Sequence, residues 1–410
     1  MTAVHVSLSP RRVLVGQAIV KFALFTAFAA MVSVLLPARV AALDPEGKVA
    51  SLAAITTAGF IANAVVQPLV GALSDRTRTR YGRRLPWMTA GALVGGVALG
   101  LTGDAATLVV LGALWVLVQL GLHGVEVSMD AYLVDAFPAA RRGIAAGVVG
   151  LALVAGTSAG AVLAGALAGR PSIATWVAAG IVAVAVVVFA ALVRDAPAPR
   201  SDAAPRRRAR DAVRAVARTL AQHPDFLTIL LWRIGYAIAY GAVFAFLLYI
   251  VTDLVGVPEL EAAKVVGLLT VIAGVASAVS VVASGWLSDR LGRRRLFLYV
   301  GNAALIGGDV LLLAWPTVPV AIAAAGLFGV GLGLAIACGR ALASQVLPDP
   351  ERGAAAGLGM LATAANTGQA IAPAIGAFAI GLAGYPAAFV VSIAGAVLCT
   401  IAVAFVRSVR

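Results

Sequence analysis

Gln119, His123, Glu126 and Asp130 stand four, three and four residues apart in an otherwise apolar run. That spacing lines them along one face of a helix. Two carboxyls and an imidazole on such a stripe can bind and release a proton, pair with a cation or accept hydrogen bonds from hydroxyl groups. Ionisable side chains within apolar spans are costly and are functional candidates by default. Here they are Lys21, His123, Glu126, Asp130, Arg233, Asp309 and Arg340.

The elements that must position them are apolar segments near 13–38, 49–74, 86–102, 107–134, 143–169 and 172–193, then 226–251, 265–288, 296–315, 318–346, 353–382 and 385–407. Most match the about 30 Å of a hydrocarbon core. Only helices satisfy their own backbone over such lengths in lipid. The expected fold is therefore all-α and integral to the membrane, with twelve transmembrane helices as six plus six. The first bundle covers 1–193, a basic cytoplasmic linker 194–225 and the second bundle 226–410.

Composition agrees with that class. The 410 residues are 61% hydrophobic and only 12% charged, against about 25% charged in soluble domains. Mean hydropathy is +1.00. The net charge of +13 would suggest nucleic acid in a soluble chain, but its arginines crowd short loops on one side. Of the 31 basic residues, only Arg39, Lys48, Arg170 and Lys264 fall on the other side, with Lys21, Arg233 and Arg340 inside spans. Positive charge concentrates on the cytoplasmic side, so both termini are expected there, in the inner (plasma) membrane. The apolar run after Arg11 and Arg12 is too long for a signal-peptide core and is expected to be a retained first span. Cys338 and Cys399 lie in apolar segments, with no disulfide or metal-ligand spacing.

The chain is duplicated. Gly71 to Arg84 reads GALSDRTRTRYGRR, and GWLSDRLGRRR returns at Gly285 to Arg295, so Asp75 corresponds to Asp289. Each aspartate closes an apolar helix at its C-terminal end, where the macrodipole disfavours a negative charge by about 0.3–1 kcal/mol. A partner must therefore hold it, either neighbouring arginines or the N-terminus of another helix. By the same correspondence Lys21 matches Arg233 and Asp130 matches Arg340. The first pair can flank Glu126 near the midplane, and the second reads as a cytoplasmic gate.

Further candidates share these faces. Tyr236 and Tyr240 continue the Arg233 face and suit stacking on a sugar or aromatic solute, although core tyrosines have the same spacing. Asn366 and Gln369 share a face of the eleventh helix. Gly156 with Gly160, Gly165 with Gly169, and Gly329 with Gly333 have the spacing of closely approaching helices. Asp309 has no role in this scheme.

The two loop motifs, with Arg142-Gly143 and Arg352-Gly353, resemble the major facilitator superfamily over essentially the whole chain. The wording SDRTRTRYGRRLPW further resembles its glycoside-pentoside-hexuronide and sucrose-type symporters. The resemblance implies two rocking six-helix bundles, with the first, fourth, seventh and tenth helices lining a central cavity. It also implies cytoplasmic latching by Asp75, Arg83, Arg84, Arg142, Asp289, Arg293 and Arg352, beside the Asp130–Arg340 gate. The sodium-coupled sugar carriers of that branch place acids on the second helix, where this chain has Asn63 and Gln67. Proton coupling is therefore expected in place of sodium.

No GxxxxGK[ST] loop is present for an ATP-driven pump, and no HExxH or nucleophile constellation for an enzyme. The expected activity is secondary active transport, by alternating access and proton symport, of a small polar solute such as a sugar, glycoside or organic acid. Proton-linked efflux of drugs or metabolites is the alternative. Substrate and proton sites are expected among Lys21, Asn63, His123, Glu126, Arg233, Tyr236, Tyr240, Asn366 and Gln369, with a monomer and no cofactor, metal or nucleic acid.

Overall fold

The structure, a computed structural model, describes residues 9–79, 82–137, 139–193, 219–291, 293–346 and 354–406. The linker expected over 194–225 therefore lies outside the described residues as far as 218. Twelve long helices follow in order: α1 Pro10–Leu43, α2 Lys48–Arg76, α3 Leu85–Thr102, α4 Leu108–Ala136, α5 Ala139–Ala166 and α6 Pro171–Leu192. Then come α7 Pro224–Phe244, α8 Glu259–Leu291, α9 Arg294–Ala314, α10 Val318–Gln345, α11 Ala354–Ala383 and α12 Pro386–Phe405. Eleven of them are long and apolar enough to cross a membrane. The remaining one, α11, is 30 residues long and carries an internal Pro373. This is the expected integral membrane architecture of two pseudo-symmetric six-helix sets.

Local chemistry sets the helix ends. Proline occupies the first turn of α1, α3, α6, α7, α10 and α12, where its missing N–H sacrifices no helical bond. Within α1, Pro37 would drive its ring into the Ser33 carbonyl of a regular α-helix. The chain avoids this by widening into a π turn at Met31–Leu35. A second π turn, Ile250–Leu254, lies beyond α7.

The same contacts recur in each set. Helix α1 packs on α5 and α6 as α7 packs on α11 and α12, and α3 packs on α4 and α6 as α9 packs on α10 and α12. Small residues allow the closest approaches: a Cβ on Gly156 or Gly160 would meet the Phe22 or Thr26 carbonyl of α1 at 2.3 or 2.2 Å. In the second set, Gly329 and Gly333 of α10 lie against Ala273 and Ser277 of α8 in the same manner. The glycine spacing therefore marks real helix crossings.

By contacts the chain forms two compact units, residues 1–201 with 251–271 and residues 202–250 with 272–410. Residues 251–271 belong to the first because Gly165 of α5 lies against Ala263 and Gly267 of α8 against Ala161. In addition, Lys48 Nζ pairs with Asp253 Oδ2 at 2.6 Å. The second unit has its own core of Phe226, Ile229, Trp232, Tyr236, Leu305 and Leu342, among others.

Candidate substrate and ion site

In the first unit α4 presents its polar stripe to α1. Lys21 of α1 is only 6% exposed, a burial that a lysine tolerates only when its charge is paired. Its Nζ lies 2.9 Å from Glu126 Oε1 and 3.0 Å from Asp130 Oδ1. One ammonium thus bridges two carboxylates a turn apart on α4. Glu126 is held from the other side by His123, whose Nδ1 lies 2.8 Å from Oε2. Since a carboxylate only accepts, Nδ1 carries the hydrogen.

The face of α1 is matched to this stripe. Gln17, one turn before Lys21, donates from Nε2 to the Met129 carbonyl at 2.9 Å. One turn after it, the Phe25 ring lies 5.7 Å from the ammonium. Phe28 then stacks on His123, with ring centroids 4.6 Å apart and planes at 22°. Gln17, Lys21, Phe25 and Phe28 are spaced four, four and three, so they ascend one face of α1 as the α4 stripe descends. Sequence reasoning missed Gln17, Phe25 and Phe28, although that spacing was the signal. Phenylalanines in a membrane span read as lipid-facing when taken singly.

Helix α2 closes another side. Asn63 is buried, and Gln67 donates to it from Nε2 at 2.8 Å, so two neutral amides pair where an acid would be needed for sodium. Gly59 of α2 faces Trp115 and Gln119 of α4. A Cβ there would come within 2.4 Å of Trp115 Nε1, so only glycine permits this approach. Gln17 Oε1, Trp115 Nε1 and Gln119 Oε1 are buried with hydrogen-bonding capacity unused among the described residues.

Asp130, expected at a gate with Arg340, here shares Lys21 with Glu126, because one lysine reaches both acids. Arg84, expected at the latch, is buried in the first unit with its guanidinium 5.5 Å from the Tyr132 ring of α4. Arg83 is half-buried, and Arg293 is exposed at the N-cap of α9. Arg352 lies outside the described residues, as do the side chains of Asp75, Arg142, Asp289 and Arg340.

The second unit brings its candidates together less tightly. Arg233 is half-buried near Tyr236, but the Tyr236 ring is buried in the core beside Trp232, centroids 5.8 Å apart. Tyr240 is half-buried and stacks on Phe244 at 5.1 Å. On α11, Asn366 is half-buried and Gln369 exposed.

A buried ammonium shared by two carboxylates inside a duplicated membrane bundle suits a secondary transporter of small molecules, and the comparisons agree. A family model described as MFS/sugar transport protein matches residues 47–408. The chain belongs to that family, within the major facilitator superfamily. It is 49% identical over 51 residues to the uncharacterized symporter sll1374 of Synechocystis sp. (strain ATCC 27184 / PCC 6803 / Kazusa), a stretch that covers 12% of this chain and 9% of the relative. Among solved structures, the nucleoside transporter NupG superposes with TM-score 0.73 at 14% identity, covering 95% of this chain and 98% of that one. A bacterial homolog of the human lysosomal transporter Spinster, inward-facing and occupied, gives 0.71 at 15% identity, covering 96% and 95%. The human organic anion transporter MFSD10 gives 0.69 at 18%, covering 97% and 100%. Identities this low establish the shared fold alone.

Proposed function

We propose that this transporter couples the movement of a small polar solute, such as a sugar, glycoside or organic acid, to protons exchanged at Glu126. The observation that carries the reading is the sharing of Lys21 between Glu126 and Asp130. A buried charge stripped of its partner costs several kcal/mol, which would block a proton site held by a single ion pair. Here a proton arriving on Glu126 leaves Lys21 paired with Asp130, so no ammonium is stranded. His123 turns with the carboxyl it touches, and its stacking on Phe28 ties that turn to α1.

The unused capacity of Gln17, Trp115 and Gln119 suits a ligand with several hydroxyl groups, since each buried polar group left unpaired costs about 1–3 kcal/mol. The Asn63–Gln67 pair, which offers no charge to a cation, supports proton rather than sodium coupling. The excess of arginine in loops on one side supports a plasma-membrane protein with both termini in the cytoplasm. The deciding experiment compares wild type with Glu126→Gln in proteoliposomes. A pH gradient should drive uptake only in the wild type, while both exchange solute at equal pH. Gradient-driven uptake that survives the substitution removes Glu126 from the coupling step.

A further inference from the structure

Asp309 of α9 takes no part in the site above, and its environment is extreme. The residue is fully buried, and neither carboxyl oxygen has a hydrogen-bond partner among the described residues. Helix α9 packs on α10 and α12, and the α9–α12 seam carries polar groups at two levels. At one level Asn302 donates from Nδ2 to Thr400 Oγ1 at 3.0 Å. Asp309 lies seven residues further along α9 and Ser392 eight residues back along antiparallel α12, each about 10–12 Å up the same seam. The Ser392 hydroxyl bears on the Asp309 carboxyl, yet it too is fully buried and has no bond of ordinary geometry.

Among the described residues, no cation of these helices offsets a charge there. On α10, the turn beside Asp309 is Ala324 to Phe328, the residues that a Cβ on Gly308 would touch. Cys338 and Arg340 lie about 15–24 Å further along that helix. On α12, Cys399 is turned to α7, where its thiol meets the Trp232 carbonyl at 3.4 Å. On α9 itself, Arg294, Arg295 and Tyr299 sit at the opposite end, with Arg295 bonded to the Val406 carbonyl. An isolated carboxylate in such a medium is untenable, and the group neutralises instead.

We propose that Asp309 is a second proton-binding site, a carboxylic acid that carries its proton in this state and seals the α9–α12 seam against Ser392. It lies apart from the Lys21–Glu126 cluster and does not depend on the coupling role given to Glu126. Its ligand is the proton, because one carboxyl and one hydroxyl supply too few oxygens to replace the six or so around a metal cation. Loss of that proton would place an unpaired charge in the seam, so the second helix set should loosen at alkaline pH.

The test is infrared spectroscopy of the full-length protein carrying carboxyl-13C aspartate, combined with melting curves across pH. At neutral pH the wild type should show one protonated-aspartate carbonyl band that is missing from Asp309→Asn and disappears as pH rises. Folding takes up a proton at this site, so the wild-type melting midpoint should fall with rising pH relative to Asp309→Asn. If that variant does not fold, the wild-type spectrum still decides: no protonated-aspartate band at neutral pH overturns the assignment. Stabilisation of the wild type over the variant by sodium or lithium, with no effect of pH, also overturns it and makes the seam a cation site.

Discussion

The ammonium of Lys21 lies 2.9 Å from the carboxylate of Glu126, joining α1 to α4 across 105 residues of sequence. Asp130 stands on the other side of the same ammonium at 3.0 Å. The three side chains therefore form one electrostatic unit, and a change in any of them redistributes charge over the other two.

Lys21→Met should be the most damaging change at this site. It leaves two carboxylates on neighbouring turns of α4 with no cation between them, and breaking a buried ion pair from one side costs about 3–5 kcal/mol. The melting midpoint should drop sharply and transport should be lost. Adding Glu126→Gln should recover a large part of the midpoint, because one of the stranded charges is gone, but not gradient-driven transport. A double variant no more stable than Lys21→Met would mean that the pair is not electrostatically coupled.

The contact between Asp130 and Lys21 also reverses an outcome that chain symmetry alone suggests. If Asp130 and Arg340 formed an isolated gate, exchanging them should restore function. In the structure an arginine at position 130 would sit against the Lys21 ammonium. Asp130→Arg with Arg340→Asp should therefore transport no better than Asp130→Arg alone, in a proteoliposome assay that holds protein amount constant. Recovery of half the wild-type rate would return Asp130 to the gate.

Asp44, just beyond α1, gives a pH dependence whose sign can be worked out. Its carboxylate accepts from Ser51 Oγ at 2.6 Å and from the Gly47 amide at 2.9 Å. The Ser51 hydroxyl first, then the Gly47 amide, hold it below its ordinary range. A carboxyl depressed by folding contributes stability above its unfolded value, about 3.9, and loses that contribution as pH falls through the folded one. Asp44→Ala should thus lower the melting midpoint slightly at neutral pH, by an amount that shrinks as pH falls below about 3.9. A difference that persists in acid would show that the cost is not the lost charge.

Much of this could be read before the structure. Twelve apolar runs, a repeated loop and the stripe from Gln119 to Asp130 depend on periodicity and composition, which a single sequence carries. Pairing depends on which helices touch. Chain symmetry matches Lys21 with Arg233 and sets them beside Glu126, but that Lys21 also reaches Asp130 depends on α1 and α4 being neighbours. Tyr236 continues the Arg233 face on a helical wheel, yet that face turns into the packing with Trp232. The spacing of Gly156 and Gly160 signalled a close crossing, but not which helix they meet, and small residues are common throughout this chain.

Those crossings provide the last test. At Gly160 an added Cβ would lie 2.2 Å from the Thr26 carbonyl oxygen, and at Gly156 it would lie 2.3 Å from that of Phe22. Both obstacles are backbone atoms of α1, which cannot rotate away as a side chain can, so α5 must shift bodily. Overpacking of this kind costs about 1–3 kcal/mol. Gly180 of α6 is the control: it is exposed, and a Cβ there meets nothing within 4 Å. Gly160→Ala should lower the melting midpoint and the transport rate, and Gly156→Ala with Gly160→Ala should lower both further. Gly180→Ala should leave the transport rate unchanged and the melting midpoint equal or slightly higher, since helix propensity favours alanine by about 1 kcal/mol and no packing opposes it. Equal tolerance of all three substitutions, measured in the same bilayers, would mean that α1 and α5 are not in this close contact.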